Sequence, residues 1–331
     1  MALVPVLVLG VLGGWVTVPY AALGPGPTFD TLGVVEGKEV VDIEGTPVDP
    51  TTGHLNMTTV SVRDGLSLFE TLGYWVSGRH GIVPRAEIYP PDKSRDEIEK
   101  ENQADFAKSE DSAELAALRY LKLPIRLTVG DVGADGPAKD ALRKGDELLR
   151  INGNPVDSVQ AVQAAVMAAG PNSDAVLAVR RDGTEQEVTV RLAVRPGTTD
   201  KGYLGITPVE QPATSFTVDF NLADIGGPSA GLMFSLAVID KLSPGELTGG
   251  TFVAGTGTID AQGGVGPIGG IQYKMVAARE AGAQTFLVPA RNCAEAAAKT
   301  PAGLRLVKVD KLADAIDSLK SINEGGTAAT C

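Results

Sequence analysis

Histidine is nearly absent: the 331 residues hold two, His54 and His80, and none follows residue 80. An α/β-hydrolase triad, in which the acid and then the histidine follow the serine, is therefore excluded for any later serine. Cysteine is as scarce. Cys293 and Cys331 cannot build a disulfide framework, and neither stands in a Cys-x-x-Cys or zinc-ligand spacing. One disulfide is the most they allow, and no metal site is expected. Basic charge is short as well, with 29 Lys and Arg against 41 Asp and Glu and a net charge of −12. Broad binding to nucleic acid needs clustered cations and is excluded as a function class. No Gly-x-x-x-x-Gly-Lys-Ser/Thr phosphate loop occurs in these residues, so neither ATP nor another cofactor is expected to take part.

The most local absence is charge at the start. Met1 to Phe29 carries none; Asp30 is the first acid and Lys38 the first base. Within that stretch Ala2–Leu23 is almost unbroken apolar sequence, and a helix of that length would just cross a bilayer of roughly 30 Å. A cleaved signal peptide would show a basic n-region and a shorter apolar core. The expectation is an uncleaved transmembrane helix over residues 1–24, with a buried core helix as the alternative. Orientation stays open, because the positive-inside rule has no Lys or Arg to act on, and the true start of the chain stays open with it.

What is present is a globular composition, 43% apolar and 21% charged, able to bury a core. Residues 25–122 read as short β segments, Gly33–Ile43 and the alternating Leu55–Val62, followed by a charged stretch. Thirteen charges between Asp92 and Glu114 predict a solvated helix to which no chemistry is assigned. Residues 123–198 alternate strand, turn and helix: strands at Pro124–Val132 and from Glu147, a short helix at Ala138–Leu142, and a serine-capped helix at Ser158–Ala168. Two further strands, Ala175–Arg180 and Glu185–Leu192, are joined by Arg181-Asp-Gly183. The run A-x-x-A-L-R-K-G-D-E-L-L-R-I-N-G-N-P-V, Ala138 to Val156, resembles a PDZ domain of the kind attached to bacterial proteases. Such domains take an extended peptide tail as an added strand. No Gly-Leu-Gly-Phe loop precedes Pro124. Gly202-Tyr-Leu-Gly-Ile206 would suit a permuted arrangement or begin the next domain.

The chemistry concentrates in residues 199–322. Gly227-Pro-Ser-Ala-Gly231 fits Gly-x-Ser-x-Gly, and an apolar helix starting here would set Ser229 at its N-terminus. Spacing alone leaves Ser229 either a nucleophile or a helix cap. A reverse order using His54 or His80 is the alternative, but His54 borders a strand and His80 lies in a turn, and both read as structural or surface. A nucleophilic Ser229 then needs another base, and lysine is the known substitute. Downstream stand T-G-T-I-D-x-x-G-x-V-x-P-I-G-G-I, from Thr256 to Ile271, and then Lys274 before M-V-A-A-R-x-A-G-A. The ordered set resembles the α/β (α+β) proteolytic domain of Lon-type proteases over about Val218–Leu319. That resemblance implies Ser229 as nucleophile, Lys274 as general base and Thr256 as the partner that orients the amine. Backbone groups of Gly227, Pro228 and Ala230 would stabilise the oxyanion. The family commonly has Asp-Gly-Pro-Ser where this chain has Gly226-Gly-Pro-Ser229. A base with the ordinary lysine pKa of about 10.4 would be protonated at pH 7, so Lys274 has to be desolvated.

The order of apolar leader, PDZ-like module and Ser–Lys site resembles the membrane-anchored Lon-like proteases of Gram-positive, actinobacterial type. The resemblance implies an ATP-independent serine endopeptidase of unfolded or tail-exposed proteins, anchored in the cell membrane by a single pass with its body outside the cytoplasm. It allows a homo-oligomer, a Cys293–Cys331 disulfide and activity only after assembly. A catalytically inert PDZ scaffold is the rival reading. Residues 323–331 are expected to be a flexible tail.

Overall fold

A computed structural model describes residues 13–222 and 225–331. The expectations for residues 1–12 of the anchor, and for Ala223 and Asp224, lie outside the described residues. Residues 122–215 form one compact unit; the chain before residue 122 and after residue 215 folds together as the other.

In chain order, the first part supplies β1 (Tyr20–Asp30), β2 (Val41–Glu44), β3 (His54–Arg63), α1 (Leu68–Ser77), β4 (Gly81–Pro84) and α2 (Arg95–Tyr120). The smaller unit contains β5 (Ile125–Val132), β6 (Glu147–Ile151), α3 (Val159–Ala169), β7 (Asp174–Arg181), β8 (Thr184–Arg191) and β9 (Ile206–Pro212). The chain then returns with β10 (Thr217–Phe220), α4 (Gly231–Leu242), β11 (Phe252–Gly255) and α5 (Ile271–Ala281). It closes with β12 (Thr285–Pro289), α6 (Cys293–Ala298), β13 (Arg305–Val309) and α7 (Leu312–Asn323).

The larger unit is built on one six-stranded sheet in the order β13-β12-β11-β3-β1-β4. Strands β13, β12, β11 and β3 run parallel, and β1 is antiparallel to β3 and β4. Residues 25–122 are thus no separate domain: they contribute half of the sheet on which the later segment folds. Alternation along the strands assigns two cores. Leu55, Met57, Val253 and Leu287 face helices α4 and α7, whereas Ala254, Phe286 and Val288 face α5 and α6. Helix α4 is buried on every side, from Leu232 to Lys241, as an all-round apolar helix requires.

Three expectations are corrected here. The predicted anchor helix does not extend to Leu23: Tyr20–Leu23 begin β1, with Ala22 opposite Arg63 and Ala21 opposite Val83. An uninterrupted apolar run suits a strand covered on both faces as well as it suits a helix, and Pro19, which breaks a helix, decides between them. Among the described residues no helix is long and apolar enough to cross a membrane. The charged helix over 92–118 does form, but α2 buries Phe106, Ser109, Ala113 and Leu115–Leu118 instead of standing free in solvent. Burial also pushes the Glu110 and Glu114 carboxyls up to about 7. Finally, the end of the chain is tied down. The Lys308 amide donates to Ala329 O at 2.8 Å, covering the outer edge of β13, and Cys331 is bonded to Cys293.

The smaller unit is a six-stranded antiparallel sheet, in the order β8-β7-β6-β5-β9 with the two-residue strand Asn154–Pro155 also paired to β6, and α3 is packed on it. Ser158 caps α3 through the Ala161 amide. Ala138–Leu142, predicted as a short helix, closes only one turn, with Leu142 N donating to Ala138 O at 2.9 Å. Strand β9 pairs with β5 from Ile206 opposite Val132 to Pro212 opposite Ile125. The segment after residue 198 therefore belongs to this unit, and Gly202–Ile206 leads into its edge strand. A cavity of about 140 Å³ lies between α3 and this segment, lined by Val162, Val166, Met167 and Tyr203–Ile206 among others.

Candidate active site

The parallel strand β11 ends at Gly255, opposite Met57 of β3. Beyond that point β3 has lost its partner on this side, and the Thr58 carbonyl is free to be used. Crevices at the carboxyl ends of parallel strands are where α/β sheets commonly bind ligands. The next residue after β11 is Thr256, and the next stretch of chain lies against the loop that carries Ser229. Gly257 N donates to Ser229 O at 2.9 Å and Leu232 N donates to Gly257 O at 3.1 Å. Gly257 permits this approach, since a Cβ there would lie 2.9 Å from Val265 Cγ1 and 3.2 Å from Leu232 Cβ.

The serine loop has its own constraints. Gly227 takes φ of 87°, a left-handed conformation that favours glycine, just before Pro228. Ala230 is the N-cap of α4, so Ser229 stands one residue outside the helix and is not its cap. Helix α2 holds the loop from the other side. Gly227 N donates to Asn102 O at 2.9 Å, and Ser109 Oγ donates to Pro228 O at 3.1 Å.

Lys274 lies in the first turn of α5, and its side chain is buried under the sheet at 3% exposure. Its Nζ is 2.7 Å from Ser229 Oγ, 3.0 Å from Thr256 Oγ1 and 2.8 Å from Thr58 O. Burial without a carboxylate partner lowers the amine to about 7. Counting protons then assigns each contact. Thr58 O can only accept. Thr256 Oγ1 donates its own proton to Ser229 O at 3.1 Å and so accepts from Lys274. A neutral amine has two protons and one lone pair, and both protons are committed. The lone pair is left for the Ser229 hydroxyl.

The structure thus brings Ser229, Lys274 and Thr256 together and adds Thr58, Asn102 and Ser109, which carried no sequence motif. Two of the expected oxyanion groups are corrected. Pro228 has no N–H, and the Gly227 N–H is spent on Asn102 O. Of the three, only the Ala230 amide remains for that role. The histidines stay out of the site: His54 Nδ1 pairs with Asp30 Oδ2 at 2.6 Å, and His80 packs on the Tyr74 ring. Beside Ser229 and Lys274 opens a cleft of about 550 Å³, lined by Met57, Val60, Phe106, Ile225 and Ile268 among others. Among the described residues no group of three or more His, Cys, Asp and Glu could hold a metal ion.

Comparison with known proteins gives two family matches. The family model of the Lon protease (S16) C-terminal proteolytic domain matches residues 223–320, and that of the PDZ domain matches residues 98–192. The latter match begins inside α2 and ends before β9, whereas the compact unit runs from 122 to 215. The chain is 35% identical over 120 residues to a Lon protease of Phenylobacterium zucineum, 35% of this chain and 15% of that protein. It is 34% identical over 103 residues to a probable periplasmic serine endoprotease, DegP-like, of Halomonas elongata, 31% of this chain and 22% of that protein. The chain spans less than a quarter of the length of these relatives. A solved PDZ domain of an SdrC-like protein from Listeria monocytogenes is 24% identical, covering 25% of this chain and 86% of that one at a TM-score of 0.24. The family matches and the named relatives support a serine peptidase with a PDZ domain.

Proposed function

We propose that this chain is an ATP-independent serine endopeptidase in which Ser229 is the nucleophile and Lys274 the general base. One observation carries the reading: a buried, neutral-prone amine whose two protons are committed to Thr58 O and Thr256 Oγ1, leaving its lone pair 2.7 Å from a serine hydroxyl. Ser229 Oγ attacks a peptide carbonyl and passes its proton to Lys274. The developing oxyanion is met by the Ala230 amide at the N-terminus of α4, where free N–H groups and the helix dipole favour negative charge. Lys274 then returns the proton to the leaving amine, and water repeats the cycle on the acyl-enzyme.

In this reading the groove between α3 and β9 captures extended peptide tails as an added strand, and the substrates are unfolded or tail-exposed proteins. The body works outside the cytoplasm, beside a membrane reached through the uncharged run of residues 1–16. The Cys293–Cys331 disulfide supports an oxidising compartment. Assembly into a homo-oligomer remains part of the proposal. ATP-independence rests on the lack of a phosphate loop in these residues.

The test is cleavage of an unfolded protein by the wild type and by Ser229→Ala and Lys274→Ala, with and without ATP. Both variants are expected to lose cleavage while keeping peptide binding, and ATP to have no effect. Equal cleavage by all three proteins would contradict the Ser229–Lys274 assignment, and cleavage by none of them would favour the inert PDZ scaffold.

A further inference from the structure

Helix α1 shows the wrong face. A helix packed on a globular body turns its apolar stripe inward. In α1 Leu68, Phe69, Leu72, Trp75 and Val76 fall within about 120° of one another at 100° per residue. All five are exposed, from 45% at Leu72 to 76% at Val76, while Thr71 is the helix's one buried residue. The helix is well made at both ends. Ser67 and Glu70 form a reciprocal cap, and Gly78 closes the C-terminus in the left-handed conformation. Glu70, the only side chain of α1 that is charged at neutral pH, is held against Ser67 by that cap.

The same face meets the uncharged leader. Thr17 bridges Ser67, and Val18 N donates to Leu66 O at 2.8 Å, so the chain leaves the sheet at the foot of α1. Just before that point stands Trp15, 87% exposed, and Gly13 lies against the Phe69 ring. Both tryptophans of the protein, Trp15 and Trp75, are therefore exposed on elements that meet at this point. Arg63 lies at the rim, 6.0 Å from the Tyr74 ring. Exposed tryptophans, an outward apolar stripe, a flanking cation and a contiguous charge-free segment are together the features of a helix lying in a bilayer interface.

We propose that α1 is a second membrane contact: it lies in the headgroup region of a lipid bilayer, apolar face down, with Trp15 and Trp75 at the interface. This rests on the membrane-side placement proposed above and adds a fixed orientation to it. Strand β1 connects the contact to the cleft. Pro27, which lines the cleft, stands seven residues beyond Tyr20, at most about 23 Å away at roughly 3.3 Å per residue. The docked body then acts on peptide segments emerging close to the membrane surface.

The test uses the full chain in two single-tryptophan forms, Trp15→Phe and Trp75→Phe, reconstituted into vesicles of phosphatidylcholine and phosphatidylglycerol at 3:1. Emission is compared with and without lipids brominated along their chains. The expected result is at least twofold quenching of each remaining tryptophan, with the Trp75 quenching abolished by Leu72→Asp together with Val76→Asp. Quenching of Trp15 but not Trp75 overturns the docking of α1 and leaves the membrane placement standing. Quenching of neither sinks both. Shielding of Trp75 that persists without lipid and grows with protein concentration assigns the face to a second copy and also overturns the proposal.

Discussion

Ser109 Oγ donates to the Pro228 carbonyl at 3.1 Å, so the loop carrying the candidate nucleophile is pinned by a helix more than a hundred residues earlier in the chain. The α2 contact through Asn102 O is a backbone bond and survives substitution, but the Ser109 bond does not. Ser109→Ala is expected to lower kcat about tenfold or less with KM nearly unchanged, because it loosens the loop without touching the cleft surface, at a cost of about 1 kcal/mol in stability. Steady-state kinetics with a peptide substrate checks the split. An unchanged kcat would mean that the Asn102 bond alone fixes the loop.

The lowered Lys274 amine predicts a pH profile. The base form grows as pH rises through about 7, so kcat/KM should climb to a plateau above that value. Glu110 and Glu114 on α2 are also pushed up to about 7, but they carry no contact to Ser229, and Glu110→Gln and Glu114→Gln should leave the rising limb in place. Stability follows with a definite sign. The unfolded lysine keeps its proton to about 10.4, so between pH 7 and 10 the unfolded state binds more protons. Relative to Lys274→Met, the wild type should gain stability as pH rises across that window, by at most about 1.4 kcal/mol per pH unit, and show no change of the difference below pH 7. Denaturant melts of both proteins across the window measure it.

The tied tail makes a third prediction. Cys293–Cys331 closes a loop 38 residues apart in sequence, for which chain entropy gives stabilisation of about 2–4 kcal/mol. Cys331→Ser should lower the unfolding midpoint accordingly under oxidising conditions, and reductant should bring the wild type to the same value. A wild type insensitive to reductant would show that the bond does not form.

The groove in the smaller unit predicts selective capture. Val162 and Val166 of α3 line it together with Tyr203–Gly205. Val166→Glu should weaken binding of an apolar C-terminal peptide at least tenfold, measured by fluorescence anisotropy, while leaving cleavage of a short untethered peptide intact. Loss of both would mean that the smaller unit is needed for the site itself.

Much of this was legible in the residues and some was not, for identifiable reasons. Ser229, Thr256 and Lys274 stand in glycine-rich motifs because each lies where backbones approach closely, and close approach leaves a mark in sequence. Thr58 contributes only a carbonyl oxygen, which every residue has, and its availability depends on where β11 stops. Asn102 acts through its backbone as well. The burial of Phe106 and Ser109 was masked by the surrounding charges of α2, most of which face solvent. Tyr20–Leu23 misled in the opposite direction, since an apolar run specifies burial without specifying strand or helix. The histidine scarcity pointed away from an imidazole base, and both histidines have their contacts elsewhere, His54 with Asp30 and His80 with Tyr74.

In the proposed chemistry Lys274 activates Ser229. The most direct measurement is mass spectrometry of the protein after treatment with a fluorophosphonate, comparing wild type with Lys274→Met at pH 8. A single adduct is expected on the peptide containing Ser229 in the wild type, forming at least a hundredfold faster than in Lys274→Met. An adduct on another residue, or equal rates in the two proteins, would contradict it.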